Sequence, residues 1–553
     1  MNILAGGKWL AGFPDYHRAP GQVRLQVLAW RNLARVEGMF FVRPRSVRLL
    51  VNYLFEFGPR GVFRKVRSRL GETLRNEKYV SCGLGKVLES EPGSPMEKGE
   101  LVAFLAPCHP ACVEALSMSP ELVVPFDGPS PPANPHILYK PLTDPDTDES
   151  PFWKPLAGFS EHSGVVFEAQ ALEAVRAGLV RSLKATDWTG ARNLPFSESG
   201  RAGICSEVTS ERDSAVPSED RAAPCLPGTD ATPATPATIS RLSRRPRGTV
   251  FGYGNYAKSF LIPNARPFID ITRIHEIDPT QISRDDRRYT WDTAPLPRPG
   301  ERADVFFGSG YHHTHVPVAL EALSQGAYAV IEKPVAVDER QLVELLAALQ
   351  RSGPKLFSCY HKRYIPFNEY AREDLGLNPG DPVSYSCQVF EVPLPPLHWY
   401  HWPNAKSRLV SNGCHWIDHF LYMNDYPEVR SYDLVIAPDE TMNVSVTAAN
   451  GAFFTMVLTD QGSERVGLRD HIELRTKRST VRMTDGSTYL AEGPDRILRQ
   501  ATINKLFSYQ NMYRTISRRI AAGEPGDSID SVRISAGLVI CLERLFQLKR
   551  RKA

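Results

Sequence analysis

The residues with the most pointed chemistry lie in the second half of the chain. Gly252-Tyr253-Gly254-Asn255-Tyr256-Ala257 directly follows the short apolar run Thr249-Val250-Phe251. In such a strand-to-helix turn Gly252 permits the tight bend, Gly254 lets the backbone approach a pyrophosphate, and Ala257 lets helix and strand pack closely. The helix that follows offers its N-terminal N–H groups to phosphate, so Asn255 and Tyr256 join the candidate cofactor contacts. Glu276 lies 24 residues past Gly252, at the end of a second apolar run. An acid there binds the hydroxyls of an adenosine ribose and repels a 2′-phosphate. The expected cofactor is NAD, with NADP the alternative because Arg273 and His275 sit close by.

Other clusters read two ways. His312-His313-Thr314-His315 could hold a metal, but no Cys or carboxylate set accompanies it, and metal sites need such partners. The loop reads better as a cofactor contact, through Gly310, Tyr311 and His312, with His315 capping the next helix. Tyr360-His361-Lys362-Arg363-Tyr364 could present Lys362 or Arg363 to a substrate. Trp399-Tyr400-His401-Trp402 could stack on a sugar ring or cover a core edge. Cys108-His109-Pro110-Ala111-Cys112 is compact and lacks a distant half-site, so no metal is expected.

These residues need elements to hold them. After residue 247 the text alternates strand and helix. Strands are expected at 249–251, 269–277, 303–307, 327–331 and 355–359, with helices at 315–325 and 338–350. That alternation calls for a parallel sheet covered on both faces. From about Asp381 the strands lengthen and alternate, as in Asn443-Val444-Ser445-Val446-Thr447, which favours an open antiparallel sheet with one wet face. A last helix is expected at 532–548. Earlier in the chain, residues 22–74 show helical periodicity at Val47, Leu50, Val51, Leu54 and Phe55, and 78–127 read as short strands separated by turns. Residues 128–155 read as loop, and 169–183 as one amphipathic helix. From 197 to about 247 there is no aromatic residue, and a Thr/Pro/Ala run sits inside. Such text cannot offset its ordering entropy and reads as a flexible linker.

Composition bounds the class. The 553 residues are 42% apolar, 23% charged and 10% aromatic, with a formal net charge of +4. This is globular text without the basic footprint of a nucleic-acid or anionic-membrane partner. Nine sparse cysteines form no even framework, and no basic-then-apolar leader or bilayer-length apolar run is found. A soluble cytoplasmic protein is the expectation.

Four pieces in order carry a resemblance. They are the 252–257 fingerprint, Gly310-Tyr311-His312-His313-Thr314-His315, then Glu332-Lys333-Pro334, then Gly413-Cys414-His415-Trp416-Ile417-Asp418-His419. Residues 246–553 thereby resemble the glucose–fructose oxidoreductase, inositol dehydrogenase and rhizopine-catabolism (Gfo/Idh/MocA) family. The resemblance implies a Rossmann-type α/β domain (248–375) and a second α/β domain with an open, mostly antiparallel sheet (376–553). It also implies hydride transfer between NAD(P) and a hydroxyl or carbonyl carbon of a sugar, cyclitol or sugar nucleotide, and a homo-oligomer packed through the open sheet. Lys333, introduced by Glu332 and aimed by Pro334, would touch the substrate oxygen and the nicotinamide ribose, and His415 would be the acid/base. Family members usually carry Asp four residues before this histidine, and here Ser411 stands in its place. Ser411, Asp418 and Arg363 are the candidate substrate contacts. The departure at Ser411 keeps open a second reading, a nucleotide-binding scaffold or sensor that has lost turnover.

Tyr79-Val80-Ser81-Cys82-Gly83-Leu84-Gly85-Lys86-Val87-Leu88-Glu89, with Lys98-Gly99-Glu100-Leu101-Val102 after it, resembles the GroES-like barrel of zinc-type alcohol dehydrogenases, with Ser81-Cys82 where those carry a His-Glu zinc pair. The organisation expected is a helical segment (1–70), a GroES-like accessory domain without metal (71–190), a linker (191–247) and the two catalytic domains.

Overall fold

The computed structural model describes residues 3–5, 8–10, 22–36, 78–90, 95–109, 112–128, 136–141, 169–188, 191–195, 244–278, 288–393, 400, 405–462 and 467–552. Among the described residues ten strands precede residue 196, the last of them at the start of the expected linker: β1 (Ile3–Ala5), β2 (Lys8–Leu10), β3 (Val23–Val36), β4 (Lys78–Glu89), β5 (Leu101–His109), β6 (Cys112–Val113), β7 (Ala115–Met118), β8 (Val123–Pro125), β9 (His136–Lys140) and β10 (Arg192–Pro195). Seven of them form a sheet of order β10-β9-β3-β4-β5-β8, with β7 also on β3. Helix α1 (Ala169–Lys184) lays Val175, Leu179 and Leu183 against Leu84 and Leu105 of this sheet and Leu122 just before β8.

Three expectations are corrected here. Residues 22–36 are strand, not helix: Val23, Leu25 and Val27 are buried while Arg24 and Gln26 are less so, which is a period of two. The periodic residues 47–55 lie outside the described residues. The 128–155 loop contributes β9, because Ile137-Leu138-Tyr139 is an apolar run that closes the core beside β3. Among the described residues this sheet does not close into a barrel, and its central strand β3 precedes residue 71. Of the linker, 196–243 lie outside the described residues, while β10 and Arg244, paired with Asp304 at 2.7 Å, flank them.

The next sheet has six parallel strands: β11 (Arg247–Phe251), β12 (Asp270–His275), β13 (Thr290–Asp292), β14 (Val305–Gly308), β15 (Tyr328–Glu332) and β16 (Leu356–Cys359). Their order is β13-β12-β11-β14-β15-β16. Counted from the first strand this is 3-2-1-4-5-6, the doubly wound dinucleotide-binding order, with its switch point between β11 and β14. After β11, residues 255–265 wind as one helix whose Ala257–Leu261 stretch is π-helical; its last turn is α2 (Ile262–Ala265). Helices α3 (His315–Ser324), α4 (Glu339–Ser352) and α5 (Phe367–Asp374) follow β14, β15 and β16. Asp338 caps α4 by accepting from the Gln341 N–H at 2.9 Å.

The last sheet has eight strands: β17 (Ser384–Phe390), β18 (Val429–Ile436), β19 (Met442–Ala448), β20 (Phe453–Thr459), β21 (Arg469–Arg475), β22 (Thr480–Thr484), β23 (Thr488–Glu492) and β24 (Ile497–Thr502). In the order β18-β19-β20-β17-β21-β22-β23-β24, only β17–β20 is parallel. Met442, Val444 and Val446 face the core with Phe454, Met456 and Leu458, whereas Val435 and Phe453 are exposed. Helices α6 (Cys414–Met423) and α8 (Ile529–Lys552) cover the inner face, and α7 (Phe507–Ala521) packs on the parallel sheet. Among the described residues no helix is long and apolar enough to cross a membrane.

Candidate functional site

The carboxyl ends of β11, β14, β15 and β16 converge, and each ends in a loop held by backbone and side-chain bonds. At the first, Gly252 has φ +96°, and a Cβ there would meet Ser309 O at 2.6 Å and Gly310 N at 2.7 Å. The two loops on either side of the switch point can touch only because residue 252 is glycine. Ser309 reinforces the contact, its Oγ lying 3.0 Å from Phe251 O and 2.9 Å from Gly252 O. Above Gly254, by contrast, a Cβ would find nothing within 4 Å. That clearance at a helix start fits a pyrophosphate, so the residues present fit a dinucleotide.

Glu276 closes the turn from β12. Its Oε2 accepts from the Tyr253 N–H at 2.8 Å and its Oε1 from the Asp278 N–H at 2.9 Å. Burial pushes its carboxyl up, with Asp278 adding to the rise and the two N–H groups opposing it. His275, one residue before, is buried between Ala294 O (3.0 Å) and Glu301 (3.1 Å), and Arg273 also reaches Glu301 at 3.5 Å. Both side chains thus bond the same internal acid.

His315 does not cap its helix. It is the first residue of α3, and its Nδ1–H donates to Pro334 O at 2.7 Å while Nε2 lies 3.3 Å from Gly310 O. It therefore ties the β14 loop to the β15 loop. Burial lowers its pKa to about 4, so the ring is neutral and one nitrogen donates. His312 bonds Ala405 O at 3.2 Å through Nδ1, and its ring lies 5.4 Å from that of Tyr400. The rings of Tyr311 and His313 stack on each other at 6.1 Å.

At the end of β15, Lys333 precedes a cis peptide to Pro334. Its Nζ donates to Tyr400 Oη at 3.2 Å, to the Ser411 carbonyl and to Asn412 Oδ1 at 3.4 Å. Burial alone would lower its pKa, but Tyr400, Cys414 and Glu332 outweigh burial and hold the ammonium. Glu332 accepts from Tyr513 of α7, and Tyr256 also bonds it. The Tyr256 ring is therefore committed to Glu332 and the α7 tyrosines, not to the phosphate turn.

His415 on α6 stands edge to face with His361, ring centres 4.5 Å apart, and His361 stacks on Tyr509 at 4.0 Å. Both histidines are 8% exposed and both have an Nδ1 without a hydrogen-bond partner among the described residues. Burial, with Lys333 and Lys362 nearby, pushes both well below the usual histidine range. Both are thus held as neutral imidazoles in the folded chain.

Two substrate expectations are corrected. Arg363 is buried between Asp418 (2.5 Å) and Asp527 (2.8 Å), and Asp418 also accepts from Ser535 at 2.7 Å. Both are tied into an internal ion-pair network that fastens α6 and α8 to the β16 loop, leaving neither for a ligand. Lys362 is likewise consumed, by Asp470, which also accepts from Trp416 Nε1 at 2.8 Å. The residue of this loop that enters the site is His361, which sequence reasoning passed over in favour of its charged neighbours. Tyr509, Tyr513 and Glu391 were also missed, because no local motif joins them to Lys333. Trp399, His401 and Trp402 lie outside the described residues. Among the described residues no group of three His, Cys, Asp or Glu is placed to hold a metal. The thiol of Cys112 is pushed well up by burial.

No protein-family model matches the chain. It is 25% identical over 152 residues to a trans-1,2-dihydrobenzene-1,2-diol dehydrogenase of Xenopus laevis, a match that covers 26% of this chain and 44% of that protein. The chain thus spans less than half the length of this curated relative. Among solved structures it is similar to the WlbA dehydrogenase of Bordetella pertussis in complex with NADH and UDP-GlcNAcA, at 15% identity and a TM-score of 0.45, covering 56% of this chain and 97% of that one. A second is KijD10, a 3-ketoreductase of Actinomadura kijaniata with NADP and TDP-benzene, at 18% identity and a TM-score of 0.42, covering 53% and 95%.

Proposed function

We propose that residues 248–375 and 376–553 are the nucleotide-binding and substrate domains of an NAD-dependent oxidoreductase acting on a secondary hydroxyl or its ketone. The observation that carries this reading is Lys333. Its ammonium stands at the carboxyl end of β15, two strands from the glycine turn. A nicotinamide dinucleotide, when bound, supplies the hydride acceptor or donor. Gly252 and Gly254 make room for its pyrophosphate, and Glu276 faces its ribose. Lys333 holds the substrate oxygen as negative charge develops. His415, a neutral imidazole, takes the hydroxyl proton in oxidation and returns it in reduction. Glu276, with Arg273 and His275 both drawn to Glu301, favours NAD over NADP.

The substrate class supported is a small polyhydroxylated molecule: a sugar, cyclitol or sugar nucleotide. The curated relative is named for a vicinal diol, which joins that class. The exposed Val435 and Phe453 on the outer sheet face support association with a second copy. The region before residue 190 is read as an accessory domain. Ser411 favours a second reading, a retired nucleotide-binding scaffold. NADH fluorescence titration of the wild type and Glu276→Ala, followed by turnover across polyols, sugar nucleotides and vicinal diols, separates the two. Binding with turnover that falls by roughly 100-fold or more in Lys333→Ala supports the enzyme. Binding without turnover supports the scaffold, and absence of NADH binding overturns both.

A further inference from the structure

Ser411 brings no charge to the site. Its hydroxyl is buried and has no hydrogen-bond partner among the described residues. The oxygens that Lys333 touches, on Tyr400, Ser411 and Asn412, are all neutral. An ammonium drawn out of water requires negative charge close by. Glu332, its neighbour in the chain, is shared with Tyr513 and Tyr256.

A second carboxylate is reached through Asn412. Glu391 follows β17, is 4% exposed, and is fixed by its N–H to Thr459 O at 2.8 Å. Its Oε1 accepts from Asn412 Nδ2, while Asn412 Oδ1 faces the Lys333 ammonium at 3.4 Å. The amide has one orientation that suits both ends, donor toward carboxylate and acceptor toward ammonium. We infer that Glu391, acting through the Asn412 amide, supplies to Lys333 the carboxylate charge that Ser411 does not. Glu391 is a positioning residue, since Asn412 stands between it and the lysine.

The charged groups facing Glu391 fit this role. Arg408 Nε lies 3.6 Å from Oε2, but Arg408 also pairs with Asp460 at 3.2 Å, so its charge is divided. Burial raises the Glu391 carboxyl, Arg408, Asn412 and Lys333 oppose the rise, and Asp460 adds to it. Lys333 is thus among the groups that favour the charged form of Glu391 against its burial.

The inference rests on the reading of Lys333 as the group at the reacting oxygen, and its test needs neither cofactor nor substrate. Trace acetylation of the full chain with acetic anhydride at about pH 9, read at each lysine by mass spectrometry, reports the free-amine fraction of Lys333 relative to the others. Glu391→Gln keeps an acceptor for Asn412 and removes the charge. Lys333 labelling is expected to rise at least about threefold, equivalent to roughly half a pH unit. Ser411→Asp in that background is expected to return labelling to the wild-type level, which loosened packing would not do. Unchanged labelling in Glu391→Gln, or a rise that Ser411→Asp leaves in place, overturns the inference. Should Glu391→Gln not fold, Asn412→Leu cuts the same bridge, with the same rise expected and no change overturning it. NADH titration of these variants reports separately on the oxidoreductase reading.

Discussion

His361 and His415 meet edge to face with ring centres 4.5 Å apart, each keeping a buried Nδ1 that makes no hydrogen bond among the described residues. Two imidazoles this close and this dry resist becoming charged, and Lys333 and Lys362 oppose protonation of either to imidazolium. The unfolded chain takes up these protons near its ordinary histidine pKa of about 6.5, whereas the folded chain does not. Their contribution to stability is therefore complete above about pH 6.5 and is lost as pH falls through that value. His315, lowered to about 4, contributes about 3 kcal/mol in the same sense. Glu276, Glu332, Glu391 and Asp418, all raised by burial, work in the opposite direction at acid pH. A comparison within one background isolates the histidines. Urea unfolding of His361→Gln at pH values from about 6.5 to 5 should show a slope of stability against pH flatter than wild type by close to one proton. An unchanged slope would mean that His361 is already charged in the folded chain.

The two glycines of the turn should fail differently. Gly252→Ala places a Cβ 2.6 Å from a carbonyl oxygen at φ +96°. A destabilisation of roughly 3 kcal/mol or more is expected, with NADH binding lost along with the fold. At Gly254 an added Cβ meets no atom of the described residues within 4 Å, which leaves room for the valine of Gly254→Val. That variant should keep nearly the wild-type melting temperature while weakening NADH about 10-fold or more, because its side chain fills the space a pyrophosphate needs. Equal melting losses in both variants would count against this division.

Arg363 neutralises two buried acids at once, Asp418 at 2.5 Å and Asp527 at 2.8 Å. Removing one partner of a buried network leaves uncompensated charge and typically costs about 3–5 kcal/mol. Arg363→Ala should therefore lower the unfolding midpoint strongly in urea. Substrate KM in whatever protein remains folded should change little, because the guanidinium faces the scaffold. A large KM effect at full stability would restore the substrate role expected from the sequence.

The parallel half was legible because its signals are local. A glycine turn follows β11 and Glu-Lys-Pro closes β15, each read from a few adjacent letters. The N-terminal sheet was not, since β3 pairs with β4 across some forty intervening positions and its period-two burial was masked by the helical text after it. The site itself was half legible. Lys333 and His415 carried motifs, but Glu391 just after β17, Asn412 just before α6 and Tyr509 on α7 reach Lys333 or His361, directly or through one another, only in the fold. Charge also misled: Lys362 and Arg363 drew attention because they are cations, yet buried cations are usually consumed by buried acids. The neutral His361 between Tyr360 and Lys362 reaches the site instead.

Cofactor choice turns on Glu276 and on what its neighbours can offer. A 2′-phosphate brought to the end of β12 would face a carboxylate already held by the Tyr253 and Asp278 N–H groups. The side chains that could compensate are engaged, since His275 is 1% exposed against Glu301 and Arg273 reaches the same acid. Replacing Glu276 by Ser removes the repulsion without supplying a phosphate ligand. Glu276→Ser should therefore lose NADH affinity about 10-fold and gain little for NADPH. Adding Glu301→Gln releases Arg273, and the double variant should then favour NADPH over Glu276→Ser by about 1 kcal/mol or more, as expected for a new charge-assisted hydrogen bond. Paired NADH and NADPH fluorescence titrations read both steps. A wild type that binds NADPH more tightly than NADH would show that the acid at the end of β12 does not set the preference.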